Sequence, residues 1–224
     1  MNVLLIGASR GIGLEFARQY LEAGDRVIAT ARNEDGLARL SELGAETLKL
    51  DVTNPASISG LSWKLDGEKL DIAIYVAGLF GTEPATSPPT QQAFDRMLHT
   101  NVLGAMQALP QVAPWVEEAD GQFAFITSDM GCIGEAQSSR GWLYRVSKAA
   151  LNMAVVAAQP DYPRARFVLF HPGWVATDMG TAAAPLSPHD SVAGMRRTLQ
   201  ALKNQPRPPQ VPFLQWDGRA FETW

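Results

Sequence analysis

The sequence predicts a doubly wound α/β fold, in which helices cover both faces of a mostly parallel sheet of about seven strands. Two observations support this prediction: short apolar runs recur along the 224 residues, and stretches with helical spacing lie between them. A run that is apolar throughout, without alternation, is typical of a parallel strand that is covered on both faces. The runs lie at residues 3–6, 27–29, 72–76, 123–126 and 167–170.

The helices are predicted from apolar residues that recur every three or four positions. The first pattern ends at Gly24, a typical stop signal, and its apolar face carries Leu14, Ala17, Tyr20 and Leu21. A second pattern includes Phe94, Met97, Leu98, Val102 and Ala105. Because strands and helices alternate, we expect right-handed crossovers between parallel strands. The proline-rich segments 84–89 and 206–209 are predicted to be loops.

Composition and charge exclude several classes of protein. The chain is 46% hydrophobic, which is enough for a sizeable core, and its net charge of −4 provides no basic field for nucleic acid or an anionic membrane. The single Cys132 cannot form an internal disulfide, and no Cys or His spacing is typical of a zinc site. We find no membrane-length apolar run and no signal-peptide pattern. We therefore expect a soluble, cytoplasmic protein with no metal, nucleic-acid or membrane partner.

A glycine-rich turn, Gly7-Ala8-Ser9-Arg10-Gly11-Ile12-Gly13, directly follows the first strand and opens the first helix. Gly7 and Gly11 permit a tight turn and close backbone approach, and Gly13 lets the helix pack closely against the sheet. The free N–H groups at the N-terminus of this helix are suited to a pyrophosphate. The turn therefore predicts nucleotide binding, although glycine-rich loops also occur for backbone reasons alone.

The end of the second strand bears on the choice of nicotinamide cofactor. An acidic residue there would accept hydrogen bonds from the ribose hydroxyls of NAD, but this strand ends Ala29-Thr30-Ala31-Arg32. Arg32 and Arg10 can instead donate charge-assisted hydrogen bonds to a 2′-phosphate. The alternative is that both arginines are ordinary solvated residues. Because the acid is missing, the sequence favours NADP over NAD.

Tyr144 and Lys148 are four residues apart and therefore lie on the same face of a predicted helix. That face continues through Leu151, Asn152 and Val155, which indicates that it points inward. A buried ammonium beside a phenol favours the phenolate, so we expect Lys148 to lower the pKa of Tyr144 from about 10 toward neutrality. Such a phenol is suited to proton transfer at physiological pH.

Two further polar residues are predicted to lie close to this pair. Ser128 follows the apolar strand at 123–126 and therefore lies at the carboxyl edge of the sheet, where ligands bind in open α/β folds. Asn101 falls on the apolar stripe of Met97 and Leu98, and a buried amide needs hydrogen-bond partners. The alternative for Asn101 is a structural residue at a cap or kink.

With these residues in place, the sequence resembles the short-chain dehydrogenase/reductase family, in its compact single-domain branch. Asn101, Ser128, Tyr144 and Lys148 fall in the order and at the separations of that family's catalytic tetrad. The resemblance implies one Rossmann-like domain over residues 1–224 that binds the dinucleotide and carries the catalysis. The segment from 178 to 191 is most similar to the C-factor and sniffer-type carbonyl reductases.

The resemblance also extends the cofactor site beyond the glycine turn. Residues 50–53 look like the family's adenine-contacting segment, and residues 172–179 look like the motif that borders the nicotinamide. The residues expected to contact NADP(H) are Gly7, Ser9, Arg10, Gly11, Ile12, Gly13, Arg32, Asp51, Val52, Ala77, Gly78, Tyr144, Lys148, Pro172, Gly173, Val175 and Thr177.

The sequence departs from the family pattern at two places. Ile6 precedes the first glycine where the family usually has Thr, and Tyr75-Val76-Ala77-Gly78 stands where it usually has Asn-Asn-Ala-Gly. The missing asparagines remove one expected polar tie of the central sheet. Ala77 and Gly78 still allow a close approach to the cofactor.

The resemblance implies an NADPH-dependent carbonyl reductase or alcohol dehydrogenase that acts on a small aldehyde, ketone or alcohol. Hydride would come from the nicotinamide, Tyr144 would donate the proton, and Ser128 would hold the carbonyl oxygen. Lys148 would also hold the nicotinamide ribose, and Asn101 would position a water of the proton relay. The alternative is an NAD(P)-binding signalling or scaffold protein of the same fold with little or no catalysis. An extended epimerase fits poorly, because the chain after Thr177 is too short for an added substrate domain.

The surface outside the site gives three further expectations. The helices through Asn101 and Tyr144 are apolar around most of their circumference, which predicts a homodimer or homotetramer through the family's usual four-helix interface. Specificity is expected in loops 79–90, 129–143 and 179–191. Trp142 and Trp174 are expected to flank the site, and they either form a wall of the substrate pocket or pack in the core. The aromatic C-terminal tail, with Trp216, Phe221 and Trp224, is expected to pack on the domain.

Overall fold

The computed structural model of the chain describes residues 1–203 and 205–224. Within these residues, seven strands form one sheet in the order β3-β2-β1-β4-β5-β6-β7, and every neighbouring pair is parallel. The strands are β1 (Asn2–Ile6), β2 (Arg26–Ala31), β3 (Glu46–Lys49), β4 (Ile72–Tyr75), β5 (Gln122–Ile126), β6 (Arg166–His171) and β7 (Phe213–Gln215). The predicted doubly wound α/β fold is confirmed.

Helices connect the strands and cover both faces of the sheet. They are α1 (Gly11–Glu22), α2 (Glu34–Glu42), α3 (Pro55–Ser59), α4 (Leu61–Lys64), α5 (Gln91–Leu98), α6 (Gly104–Glu117), α7 (Trp142–Ala158) and α8 (Pro188–Lys203). A π-helical turn (His99–Leu103) joins α5 to α6 without a break, so the predicted helix through Asn101 is present and widens into a π-helical turn at that residue. The predicted loops at 84–89 and 206–209 carry no regular element.

Alternate side chains of each strand enter two separate cores, which explains why the strands are apolar throughout. On one face Leu4, Tyr75 and Phe125 pack beneath α3, α4, α6 and α7. On the other face Val3 and Ile74 pack beneath α1, α2 and α8. Because all strands run in the same direction, their carboxyl ends meet at one edge of the sheet. The strand order reverses between β1 and β4, which is where open α/β sheets bind ligands.

The aromatic tail packs on the domain, as predicted from its composition. The ring of Phe221 stacks on Phe213 of β7 at 4.2 Å between centroids, and Trp224 meets Phe213 edge-on. Cys132 is buried, and its thiol donates to the carbonyl oxygen of Thr223.

Among the residues described, no helix is both long and apolar enough to cross a membrane.

Candidate active site

The glycine turn after β1 has the shape that its sequence predicts. Gly7 and Gly11 have φ angles of +87° and +54°, in the left-handed region that favours glycine. A Cβ atom on Gly7 would lie 2.7–2.8 Å from atoms of Ala77, and one on Gly13 would lie 2.7 Å from the carbonyl oxygen of Gly7. The turn therefore brings the ends of β1 and β4 together and places α1 close against the sheet. A side chain at Gly7 or Gly13 would clash with this backbone.

The N-terminus of α1 differs from that of α2 in how its N–H groups are satisfied. Arg10 precedes α1 without a side-chain cap, and the first turn carries no acidic residue. In contrast, Asn33 caps α2 by accepting from the N–H of Gly36, and Glu34 and Asp35 follow it. The partial positive charge at α1 is therefore left for an external anion. A pyrophosphate between this helix and the glycine turn fits the residues present.

The expected adenosine end of the site lies where β2 and β3 finish. Arg32 is exposed directly after β2. Burial acts to raise the pKa of Asp51, but hydrogen bonds from Thr53 and the charge of Arg32 outweigh it and leave that pKa lowered. Arg10 pairs with the carboxylate of Asp178 at 3.0 Å on the exposed side of the turn. The two arginines thus differ, because Arg10 already has a carboxylate partner.

The segment after β6 reaches the glycine turn from the opposite side. A Cβ atom on Gly11 would lie 3.4 Å from Cγ2 of Thr177, so this segment and the turn are in contact. Val175 is buried and bridges to Leu186, whereas Trp174 is exposed. This places residues 172–177 on the same edge of the sheet as the glycine turn.

Lys148 is almost fully buried on α7, and its amine is held by the neighbouring strand. The Nζ atom donates to the carbonyl oxygen of Ile126, the last residue of β5, at 2.9 Å. The amine lies 5.7 Å from the ring centre of Tyr144. Burial lowers the pKa of Lys148 to about 8.

Tyr144 is buried one turn before Lys148, and the edge of the Phe80 ring meets it at 4.9 Å between centroids. Burial raises the pKa of the Tyr144 phenol well above its ordinary value, the Ser128 hydroxyl lowers it, and the charge of Asp129 raises it further. The expected lowering by Lys148 is wrong for this structure. The reason is that desolvation of the buried phenol disfavours the phenolate more than the hydrogen bond from Ser128 favours it.

Ser128 follows β5 and begins a short 3₁₀ turn, Asp129–Gly131. Its hydroxyl donates to Oδ1 of Asp129 at 2.9 Å and accepts from the N–H of Met130 at 3.1 Å. Gly131 lies so close to α7 that a Cβ atom there would be 2.9 Å from Cβ of Lys148. The turn that carries Ser128 therefore rests directly on the helix that carries Tyr144 and Lys148.

Asn101 is fully buried in the π-helical turn, and its side-chain amide forms hydrogen bonds with the backbone of the loop after β4. Its Oδ1 accepts from the N–H of Leu79 at 2.7 Å, and its Nδ2 donates to the Leu79 carbonyl and to the Ser147 hydroxyl, both at 2.9 Å. A Cβ atom on Gly78 would lie 3.4 Å from Asn101 Oδ1 and 3.6 Å from Lys148 Nζ. The amide and the amine therefore face the same backbone.

The departure at Tyr75 has a structural consequence at this turn. The Tyr75 hydroxyl donates to the carbonyl oxygen of Thr100 at 3.2 Å, inside the turn that holds Asn101. A Cβ atom on Gly104 would lie 2.7 Å from that hydroxyl, so α6 begins in close contact with β4. Tyr75 thus supplies a polar tie between the central sheet and the helix where the sequence indicated that one was lost.

Three residues that the sequence did not single out belong to this arrangement. Phe80 contacts Tyr144, Ser147 links Asn101 to α7, and Asp129 accepts from Ser128. Ser147 could have been found from its place between Tyr144 and Lys148. Phe80 and Asp129 lie in predicted loops, where spacing carries no signal about contacts.

Comparison with known proteins places the chain among oxidoreductases. The family model described as short chain dehydrogenase matches residues 1–185. The chain is 29% identical to a 1-hydroxy-2-glutathionyl-2-methyl-3-butene dehydrogenase of Rhodococcus, over 96% of this chain and 99% of that protein. It is 37% identical to the C-signal protein of Myxococcus xanthus, over 59% of this chain and 82% of that protein.

Solved structures with the same fold include carbonyl reductases. An NADPH-bound carbonyl reductase from chicken fatty liver superposes with a TM-score of 0.87 at 28% identity, and the match covers 100% of this chain and 98% of that one. The Sniffer carbonyl reductase of Drosophila melanogaster has a TM-score of 0.89 at 24% identity, over 100% and 99% of the two chains, and that likeness concerns the fold alone. The predicted resemblance is confirmed in sequence for the C-signal protein and in fold for the Sniffer carbonyl reductase.

Proposed function

The chain belongs to the short-chain dehydrogenase family, and from this membership we propose that it is an NADPH-dependent reductase of aldehydes or ketones, with residues 1–224 as one catalytic domain. The observation that carries the proposal is the meeting of Ser128, Tyr144 and Lys148 at the carboxyl edge of the sheet, next to the glycine turn. A protein that only bound a nucleotide would have no chemical use for this set.

The cofactor proposed for the site is NADP(H). The glycine turn and the uncapped α1 N-terminus would hold the pyrophosphate, and Arg32 would pair with a 2′-phosphate. The chicken carbonyl reductase, which shares the fold, is bound to NADPH. When bound, the reduced nicotinamide supplies the hydride that a carbonyl carbon accepts.

The proton comes from the protein. Tyr144 donates its phenol proton to the carbonyl oxygen when the carbonyl carbon accepts hydride, and the product is an alcohol. A buried phenol with a raised pKa is protonated at neutral pH, so Tyr144 carries the proton that the reaction needs. Ser128 holds the same oxygen by a hydrogen bond and so lowers the cost of its developing charge. Lys148 faces the phenolate that remains and stabilises it with its ammonium.

Asn101 and Lys148 are proposed to restore the proton to Tyr144. Both polar groups face Gly78, and the pKa of Lys148, at about 8, allows its amine to give and take a proton near neutral pH. The amide of Asn101 fixes the Leu79 backbone at the same place. This arrangement supports a relay from Lys148 outward through water beside Asn101.

The test is consumption of NADPH, followed by absorbance, with a panel of aldehydes, ketones and diketones. We expect turnover with members of the panel and preference for NADPH over NADH. Detection of the alcohol product by mass spectrometry excludes simple oxidation of the cofactor. Binding of NADPH without turnover on any panel member would contradict the proposed activity.

A second candidate is a cofactor-binding signalling protein of the same fold, which is favoured by the 37% identity to the C-signal protein. This candidate predicts NADPH binding with no turnover, and a Tyr144→Phe variant that is as active in signalling as the wild type. The polar set around Tyr144 favours the enzyme.

A further inference from the structure

The imidazole of His171 bonds to the backbone of the turn that follows Ser128. Beyond the end of β5, the N–H of Thr127 still donates to the carbonyl oxygen of Phe170 on β6, at 2.8 Å. The backbone then leaves the sheet for the 3₁₀ turn, and the first N–H of such a turn, here that of Asp129, has no partner within it. Nδ1 of His171, the last residue of β6, accepts from this N–H at 3.1 Å. A side chain thus supplies the acceptor that the sheet no longer offers.

We propose that His171 is a positioning residue for the reduction, and that as a neutral imidazole it holds the turn where Ser128 and Tyr144 can act on one carbonyl oxygen. This inference rests on the proposed reductase function. It adds a residue that is neither a member of the tetrad nor an expected cofactor contact.

The hydroxyl of Ser128 is tied to the backbone that His171 holds. Its oxygen accepts from the N–H of Met130 at 3.1 Å, and the Ser128 carbonyl accepts from the N–H of Gly131 at 2.9 Å. Side chain and backbone therefore form one short turn, and a shift at the Asp129 N–H moves the hydroxyl with it. A misplacement of about 1 Å near the reacting atoms lowers a rate by up to about a hundredfold.

The ring of His171 is itself packed against the C-terminal segment. The Phe221 ring meets it edge-on, with 6.1 Å between centroids and 77° between planes. Phe221 in turn stacks on Phe213 of β7, and its N–H donates to the Phe213 carbonyl oxygen at 3.0 Å. The same segment holds the end of the turn, because the Cys132 thiol donates to the carbonyl oxygen of Thr223. The imidazole is therefore fixed by packing on a β-strand and not by solvent.

The bond to the Asp129 N–H exists in one protonation state of the imidazole. A ring that accepts at Nδ1 carries its proton on Nε2, whereas an imidazolium has a hydrogen on both nitrogens and accepts nothing. Burial lowers the pKa of His171 below its ordinary 6.5, and the charge of Asp129, whose Oδ1 lies 3.6 Å from Nδ1, raises it by less. The ring is therefore neutral at pH 7, and acidification removes the acceptor.

The other groups around His171 are uncharged or held elsewhere. β7 pairs with this position at Gln215, which is neutral, and the tail presents the apolar Phe221 while Glu222 is exposed. On α7, the Lys148 amine is bound to the Ile126 carbonyl, and the raised pKa keeps Tyr144 protonated. The titration of the ring is thus set by its burial and by Asp129.

The experiment compares His171→Leu, which cannot accept a hydrogen bond, with His171→Asn, whose Oδ1 can accept from the Asp129 N–H and which does not titrate. The kcat and KM of carbonyl reduction are measured from about pH 5 to 8. We expect His171→Leu to lower kcat at pH 7 by about tenfold, the rate equivalent of one hydrogen bond, and His171→Asn to stay within about twofold of the wild type. The wild-type kcat should fall on acidification below pH 6.5, and this fall should be absent from His171→Asn.

Two controls separate positioning from a general loss of structure. His99→Asn removes an exposed histidine that makes no side-chain hydrogen bond among the described residues, and its acid limb should match the wild type. The affinity for NADPH should be unchanged in both His171 variants. If His171→Leu fails to fold, the acid limb of His171→Asn decides the question. Independently of turnover, ¹⁵N NMR of the wild type at pH 7 should show His171 with its proton on Nε2.

The outcomes that contradict the inference are distinct from failure of the proposed function. Wild-type kcat in His171→Leu, equal losses in both variants, or an acid limb that persists in His171→Asn overturns the role of His171 alone. A loss of NADPH affinity in both variants does the same, because it places the effect in the neighbouring segment 172–177, and so does a proton on Nδ1 at pH 7. A wild-type chain without turnover overturns the proposed function and this inference with it.

Discussion

The amine of Lys148 on α7 donates to the carbonyl oxygen of Ile126 at the end of β5, with 2.9 Å between Nζ and O. This bond fixes the helix that carries Tyr144 to the strand that leads into Ser128. The amine is also desolvated, which is why its pKa falls to about 8 from an ordinary 10.5. The folded protein therefore carries a cost for keeping this charge buried.

Lys148→Met is expected to abolish turnover and yet stabilise the apoprotein at pH 7. The folded state binds fewer protons than the unfolded state between pH 8 and 10.5, so the wild type gains stability as pH rises through that window. At pH 7 the lowered pKa of Lys148 destabilises the folded wild type by roughly 3 kcal/mol, and the substitution removes this destabilisation. The substitution also removes the hydrogen bond to Ile126, which costs about 1 kcal/mol. We expect a net gain of about 1–2 kcal/mol in the free energy of unfolding at pH 7, which disappears above pH 10.5. Urea denaturation at several pH values measures it.

Lys69→Met provides the control for this experiment, because Lys69 is exposed. Its unfolding free energy should follow the wild type at every pH. A Lys148→Met variant that is less stable than the wild type at pH 7, with an unchanged pH dependence, would contradict the assignment of a buried, costly charge.

Tyr144→Phe is expected to lower kcat by about 10²–10⁴-fold, because it removes the proton donor and leaves the ring in place. NADPH binding, followed by fluorescence, should stay measurable. Tyr20→Phe removes another buried phenol hydroxyl, on α1 beneath the guanidinium of Arg196, and should retain activity. Substantial reductase activity in Tyr144→Phe would exclude the assigned role.

Arg32→Ala is expected to weaken NADPH binding by about tenfold or more and to leave NADH binding nearly unchanged. The reason is that one charge-assisted contact to the 2′-phosphate contributes about 1.5–3 kcal/mol. Arg10→Ala should have a smaller effect, since Arg10 already pairs with Asp178. Fluorescence titration with both cofactors measures the difference, and Arg39→Ala on α2 is the control. Equal losses for NADPH and NADH would argue against a phosphate contact.

Met153→Asp is expected to convert a homodimer or larger assembly into monomers. Leu103, Met106, Val146 and Met153 are exposed on the outer side of α6, α7 and the turn between α5 and α6. Between α6 and α7 lies an apolar groove of about 200 Å³ that includes Met106 and Ala154. Light scattering should give at least twice 24.3 kDa for the wild type. Trp63→Asp, on α4, is the control, and a wild type at 24.3 kDa would contradict the prediction.

Much of the fold was predictable because its signals are local. Each continuous apolar run became a central strand of the sheet, and the spacing of Tyr144 and Lys148 placed both on the inner face of one helix. The position of Ser128 at the end of β5 follows from the same logic, since parallel strands end at a common edge.

The sequence by itself thus determined the sheet, the glycine turn and the order of the polar residues along the chain, because periodicity and spacing act over a few residues. Only the tertiary structure decided that the Ser128 hydroxyl donates to Asp129, that Asn101 accepts from the Leu79 N–H, and that the pKa of Tyr144 is raised. Those features depend on desolvation and on contacts between residues far apart in the chain, such as Phe80 with Tyr144, and no local pattern encodes them.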